Sequence, residues 1–325
     1  STRVRSSAAS DVYKRQILGS EIDKLPDSGV IRLLKRKHNV FAKLSPIQKA
    51  RIIRLLKTSG NVVGYMGDGI NDTPSLTNSD VGVSVDTAVD IAKETADIIL
   101  LEKDLNVLLD GVTEGRKTFS NLLKYIKLAV SFNFGEVTSV LIASILLPFF
   151  PITPIQLLVQ SLLYDIGQLT LPFDNVDIDS LKKPKKWSIR AIRQFMIFMG
   201  PLSSAFDLIV FAMLWFVFKL GPADSALFQT IWFSYGIVSN LFGMHIIRTA
   251  KIPFVQSHAS KPVYLSSIIV SLLAIFVPFT ALGSAIGLVA IPLKYMALIF
   301  LTPVVYCIIA QFAKYKYIQK HGEWL

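Results

Sequence analysis

Met66-Gly67-Asp68-Gly69-Ile70-Asn71-Asp72 is the stretch on which the reading of this chain turns. An apolar run, Asn61-Val62-Val63-Gly64-Tyr65, leads into it, and Asn71-Asp72-Thr73-Pro74 leaves it as a helix start. A strand that ends in Gly-Asp-Gly puts a carboxylate at the mouth of a sheet, where α/β folds bind ligands. The glycines let the backbone turn sharply and come close to a phosphate. Asp68 offers the hard oxygen that suits Mg2+. Alone, the tripeptide is equally a strand-turn-helix corner with acidic surface residues.

Working outward, residues 17–115 read as a polar α/β segment. Val40-Phe41-Ala42 is a short strand. Ser45 caps a helix that opens with Pro46, carries Lys49 and buries Ile52, Ile53, Leu55 and Leu56 at helical spacing, and Gly60 ends it. Strands are expected at 62–66, 81–85 and 97–101, with a helix at 88–95. Strands alternating with helices predict a parallel sheet of doubly wound type. Residues 1–16, rich in serine and basic residues, fit nothing that follows. They are expected to be a non-native leader and are set apart from the fold.

Beyond residue 115 the composition changes. The 325 residues are 52% hydrophobic with a mean hydropathy of +0.49, which is too apolar for an ordinary soluble protein. A helical pattern from about residue 105 passes through Gly115-Arg116-Lys117 to Lys124 and Lys127 and becomes apolar without a turn signal. It reads as one stalk helix entering a bilayer, its basic end at the cytoplasmic headgroups. Six spans are expected near 128–149, 155–171, 195–218, 227–246, 263–279 and 293–313, each close to the ~17–25 residues a crossing needs.

The loops set the orientation. Lys182, Lys183, Lys185, Lys186, Arg190 and Arg193 follow the second span, Arg248, Lys251 and Lys261 the fourth, and Lys314, Lys316 and Lys320 the last. The intervening loops at 150–154, 219–226 and 280–292 carry almost no positive charge. This alternation obeys the positive-inside rule and puts both ends in the cytoplasm. The net charge of +11 is therefore an orientation signal, and no nucleic-acid partner is expected. The single cysteine, Cys307, excludes a disulfide framework and a thiolate metal cluster. It is expected to be lipid-facing or to fill the core.

Ionisable groups inside a membrane are costly and are functional candidates by default. Asn133 and Glu136 share a helix face beside Gly135 in the first span. Ser161, Asp165 and Gln168 share a face in the second. At 1.5 Å per residue, Glu136 lies roughly 12 Å from one end of its span and Asp165 roughly 15 Å from the far end of its own. Both fall near the midplane. Two carboxylates, an amide and a hydroxyl at one depth make an oxygen-rich site for a divalent cation, unless they serve only to bond helices together. For Asp207 a structural hydrogen bond and an ion contact are both open, and His245 reads as structural.

These residues carry a family resemblance. M-G-D-G-I-N-D-T-P-S-L, D-V-G-V-S-V, A-D-I-I-L-L and G-V-T-E-G-R-K-T-F-S-N resemble the C-terminal half of P-type cation-transporting ATPases. S-F-N-F-G-E-V, L-L-Y-D-I-G-Q, P-F-D-N-V-D, F-M-I-F-M-G-P-L-S-S-A-F-D and I-P-F-V-Q-S are similar to the bacterial magnesium-importing branch. The resemblance implies a partial haloacid-dehalogenase-like (Rossmann-like) phosphorylation domain at 17–115, followed at 116–325 by a stalk and an all-α six-helix transmembrane bundle in the bacterial inner membrane. It implies that Asp68 binds the catalytic Mg2+, that Asn71 and Asp72 hold the phosphate loop and that ion, and that Lys49 contacts the aspartyl phosphate. It puts Asn133, Glu136, Ser161 and Asp165 at transport-site positions for the carried cation, and makes ATP the substrate.

Two departures stand out. The magnesium pattern has Asn where this chain has Glu136 and Ser161, and Glu136 matches the calcium-pump pattern. The family's D-K-T-G-T phosphorylation motif is absent, since Asp23-Lys24 is followed by Leu25. The chain is thus expected to be a C-terminal piece, unable to hydrolyse ATP without the N-terminal part of the same pump. Two other readings are a phosphatase-like domain on a membrane anchor and a non-enzymatic membrane module.

Overall fold

The computed structural model describes residues 16–36, 38, 40–102, 104–322 and 324. The expected leader lies outside the described residues except for Gln16, which belongs to the fold as the first residue of a strand. The chain is mostly helical with two small sheets, and it divides into two compact units, Ser1–Val112 and Thr113–Leu325.

In the first unit, β1 (Gln16–Leu18) is followed by the short α1 (Gly19–Ile22), α2 (Asp27–Lys35), β2 (Val40–Ala42) and α3 (Pro46–Thr58). β1 and β2 pair in parallel. The start of α3 is fixed by chemistry legible in its first residues. Ser45 Oγ accepts from Gln48 N at 3.3 Å and Ser45 N donates to Gln48 Oε1 at 2.8 Å, a reciprocal cap, with Pro46 entering the first turn. Ile52 and Leu55 bury that helix against Ile17, Ile22 and Val30.

The second sheet has three parallel strands in the order β3 (Gly64–Met66), β4 (Val81–Val85) and β5 (Ile98–Leu100). Its crossovers are α4 (Thr73–Asn78) and α5 (Asp90–Thr95). The parallel sense and the alternation agree with the sequence pattern. The single sheet does not: β1 and β2 form their own pair, and the strand order never reverses within the three-stranded sheet. β1 was not foreseen, because three residues at the edge of a basic leader carry no period that could mark them.

The second unit is a helical bundle. The helix α6 (Leu105–Leu146) is unbroken for 42 residues. Then come α7 (Pro154–Gln168), the single turn α8 (Ile178–Leu181), α9 (Ile189–Ala212), α10 (Ser225–Ile247), α11 (Lys261–Phe276), the short α12 (Ala281–Ala285) and α13 (Met296–His321). The T-P-x-Q start of α7 repeats the cap of α3: Thr153 N donates to Gln156 Oε1 at 3.1 Å, and Thr153 Oγ1 accepts from Gln156 N.

Among the described residues four helices are long and apolar enough to cross a membrane: Leu105–Leu146, Ile189–Val217, Lys261–Phe279 and Leu293–His321. The other two expected spans differ from these for separate reasons. α7 has 15 residues, about 22 Å of rise. α10 is long enough, but it is wrapped by α7, α11 and α13 and carries Thr230, Ser234, Ser239 and His245 buried among its apolar residues. A helix covered on all sides needs no lipid-facing stripe.

The stalk's basic end requires a correction. Lys124 and Lys127 are buried in protein contacts and are not headgroup anchors. Lys124 Nζ meets Asp174 Oδ2 at 2.7 Å, and Lys127 Nζ donates to the carbonyl of Trp324 at 3.0 Å. Arg248 and Lys314 are enclosed as well. Arg248 Nε pairs with Asp174 at 2.8 Å, and Lys314 donates to the carbonyls of Ile246, Thr249 and Lys251, all at 2.9 Å. A basic residue at a helix end looks the same in sequence whether it meets a phosphate or a buried carboxylate. Lys182, Lys183, Lys186, Arg190 and Arg193 do stay exposed.

Candidate functional site

The glycine loop sits at the C-terminal end of β3. Gly67 N donates to Val83 O at 3.1 Å, Ser84 Oγ donates to Gly67 O at 2.9 Å, and Val89 N donates to Asp68 O at 3.2 Å. These bonds lash the loop to β4 and to the start of α5. A Cβ at Gly67 would collide with the Asp72 side chain, so the position needs glycine for close approach. The backbone then makes a 3-10 turn, Ile70–Asp72, and runs into α4.

That turn brings Asp72 to Lys49. The Lys49 Nζ to Asp72 Oδ1 distance is 2.8 Å, and the Tyr65 hydroxyl donates to the same oxygen at 2.6 Å. Burial would raise the Asp72 carboxyl, but the bonds from Lys49 and Tyr65 outweigh it and hold it below the ordinary carboxylate value. The hydrogen bond to Asp72 raises Lys49 above an ordinary lysine. Burial, and then the bond to Asp72, raises Tyr65. Asp68 and Asn71 are exposed on the loop and turn. Of the four residues expected here, the structure joins Lys49 to Asp72 directly and sets Asp68 and Asn71 on the same loop. Tyr65 was missed. Its only signal was an aromatic hydroxyl on the strand leading into the motif.

The membrane candidates lie on α6 and α7. Glu136 is half-buried, and its Oε1 is enclosed with no hydrogen-bond donor among the described residues. Asp165 is exposed and accepts from Gln168 Nε2 at 3.2 Å. The two carboxylates lie within reach of each other's charge, and both charges reach the buried Tyr164. Ser161 is half-buried and Asn133 is exposed. Among the described residues no three of His, Cys, Asp and Glu are grouped to hold a metal ion. Any cation here would rest on two carboxylates and neutral oxygens.

Asp207, the weaker candidate, is buried on α9 and accepts from Ser139 Oγ on α6 at 2.8 Å. One turn away Ser204 Oγ donates to Gly135 O at 2.8 Å. A Cβ on Gly135 would stand 3.0 Å from Gly200 O, so its glycine allows the two helices this approach. His245 is buried, faces Ser267 Oγ at 3.1 Å and stacks on Tyr264. Cys307 is half-buried against the bundle core.

A cavity of about 740 Å³ contains none of these residues. It is lined by Lys127, Lys182, Lys183, Lys185 and Lys186 beside a lone acidic residue, Asp179. Such a lining repels a divalent cation.

The chain thus carries helices long and apolar enough to cross a membrane, the first of them bearing Glu136, and a glycine loop closed by the Lys49–Asp72 pair. Residues 149–316 match the family described as "Cation transporting ATPase, C-terminus", and the chain belongs to that family. It is 46% identical over 309 residues to "Magnesium-transporting ATPase, P-type 1" of Salmonella typhimurium, covering 95% of this chain and 34% of that protein. It is 48% identical over 307 residues to the Escherichia coli protein of the same name, covering 94% and 34%. "Calcium-transporting ATPase 1" of Bacillus cereus is 34% identical over 201 residues, covering 60% of this chain and 22% of the relative. The chain spans about a third of the length of the curated magnesium-transporting relatives it matches.

Proposed function

We propose that this chain is the C-terminal part of an ATP-driven P-type pump that imports Mg2+ into the cytosol through an aspartyl-phosphate cycle. The observation that carries the reading is the coexistence of two separate acidic sites. One is the Lys49–Asp72 pair on the Gly67-Asp68-Gly69 loop. The other is Glu136 on α6 and Asp165 on α7, whose charges reach each other.

The first site suits phosphoryl transfer. The loop offers only oxygen donors, from Asp68, Asn71 and Asp72, which fits a hard ion such as Mg2+. When bound, that ion would offset negative charge on the transferring phosphoryl group. Asp68 would hold it, Asp72 and Asn71 would fix the loop, and the Lys49 ammonium would face the phosphoryl oxygens. Residues 17–115 would be the C-terminal half of a haloacid-dehalogenase-like phosphorylation domain. The nucleophile and the ATP-binding parts would be supplied by the remaining two thirds of a protein of the relatives' length.

The second site suits a carried cation. Residues 116–325 would form the stalk and six spans, with α7 and α10 as the two that lean on their neighbours for cover, and with both ends cytoplasmic in a bacterial inner membrane. Asn133 is exposed within α6, and Asp165 is exposed three residues before the end of α7, where meeting lipid would be costly for a carboxylate. We read that face as covered by other helices of the pump, closing a site of Glu136, Asp165, Asn133 and Ser161 around the ion. Glu136, in place of the magnesium pattern's Asn, favours one second reading, a pump for Ca2+.

The test is Asp165→Ala in the full-length protein. Mg2+-stimulated ATP hydrolysis should vanish. Stimulation and Mg2+ uptake equal to the parent would overturn the transport site, and stimulation of the parent by Ca2+ but not Mg2+ would favour the second reading.

A further inference from the structure

Tyr65 has no part in the function just proposed, yet it is bound to the centre of the loop site. Its hydroxyl donates to Asp72 Oδ1 at 2.6 Å, the same atom that Lys49 Nζ reaches at 2.8 Å. The other carboxylate oxygen, Oδ2, lies toward the glycines, 3.8 Å from where a Cβ on Gly69 would stand. Asp72 is thus split in use. Oδ1 takes both donors, and Oδ2 is turned to the loop that would hold the phosphate.

An ionised carboxylate oxygen can accept two hydrogen bonds. For holding Asp72 in place, however, one donor on Oδ1 would suffice. The two donors differ in what else they can do. Lys49 is a flexible cation, 31% exposed, with three N–H groups that can be shared or redirected. Tyr65 is a stiff side chain rooted in β3, with two rotatable bonds and a single hydroxyl proton.

We propose that Tyr65 is a positioning residue that keeps Asp72 oriented when Lys49 turns from Asp72 to a phosphoryl oxygen. The ligand is the anionic phosphoryl group of the aspartyl-phosphate site, and the inference rests on the reading of Lys49 given above. Without the hydroxyl, Lys49 would be the sole side-chain donor to Asp72 Oδ1 among the described residues. Reaching a phosphoryl oxygen would then leave that oxygen unpaired, and phosphoryl binding would weaken.

The test uses the full-length protein and orthovanadate, a phosphoryl analogue, read both by inhibition of ATP hydrolysis and by the rise in unfolding temperature that vanadate produces in detergent. In Tyr65→Phe the vanadate concentration for half-inhibition should rise by about tenfold or more, the worth of one hydrogen bond to an ionised group. The vanadate-induced rise in unfolding temperature should shrink, and the Mg2+ concentration for half-maximal stimulation should not move. Lys49→Ala should lose vanadate sensitivity almost entirely. Vanadate sensitivity unchanged in Tyr65→Phe but lost in Lys49→Ala would overturn the role of Tyr65 alone. Unchanged sensitivity in both variants would overturn the reading of Lys49, and the Tyr65 proposal with it. A Tyr65→Phe effect on Mg2+ stimulation without one on vanadate would also overturn it.

Discussion

Asp72 and Glu136 are both half-buried carboxylates, and the chain serves them in opposite ways. Asp72 receives a lysine and a tyrosine on one oxygen. Glu136 has an enclosed oxygen with no donor among the described residues, and the charge of another carboxylate, Asp165, reaches it. A carboxylate supplied with donors by its own fold is kept charged and in place. One denied them is costly until something positive arrives. Under the proposed function, the first arrangement would serve a catalytic loop and the second a place left for cargo. Asp174 shows that this bundle can pair a buried carboxylate when it serves structure, since Lys124 and Arg248 both reach it.

The contrast can be broken or sharpened at several strengths. The largest effect is expected at Asp174. Asp174→Ala leaves Lys124 and Arg248 buried without their counter-charge, which should cost about 3–5 kcal/mol of bundle stability, read as a lower unfolding temperature in detergent. Gly135→Val should cost about 2 kcal/mol by forcing α6 from α9, measured the same way. In the first unit Ser45→Ala removes the cap of α3 and should cost about 1 kcal/mol, measured by urea unfolding.

The smallest effect is the pH dependence of the Lys49–Asp72 pair, worth under about 1 kcal/mol because Lys49 is partly solvated. Asp72 is lowered, so its contribution is present above the ordinary value of about 3.9 and is lost as pH falls through its folded pKa. Lys49 is raised, so its contribution is full below about 10.4 and is lost as pH rises through its folded pKa. Lys49→Met should flatten both limbs of urea stability against pH.

What the sequence made legible was local. The Ser45-Pro46 cap, the strand at 81–85 and the turn through Gly67 each announce themselves within a few residues, by capping chemistry, alternation or the need for glycine. The parallel pairing of β3 to β5 followed from alternation of elements. What stayed hidden was long-range. No local pattern says that Lys124 meets Asp174 fifty residues on, that Lys127 donates to Trp324, or that Tyr65 and Lys49 converge on one oxygen of Asp72. Nor does the sequence of α10 show its enclosure by α7, α11 and α13, which explains why it departs from the lipid-facing pattern.

The central claim is that the loop and the helices hold two different sites of one pump, and separating them tests it most directly. In the full-length protein, phosphorylation of the enzyme by inorganic phosphate should be lost in Asp68→Asn and retained in Asp165→Asn, while Mg2+ uptake is lost in both. Mg2+ uptake that survives in Asp165→Asn, or phosphorylation that survives in Asp68→Asn, would contradict the account.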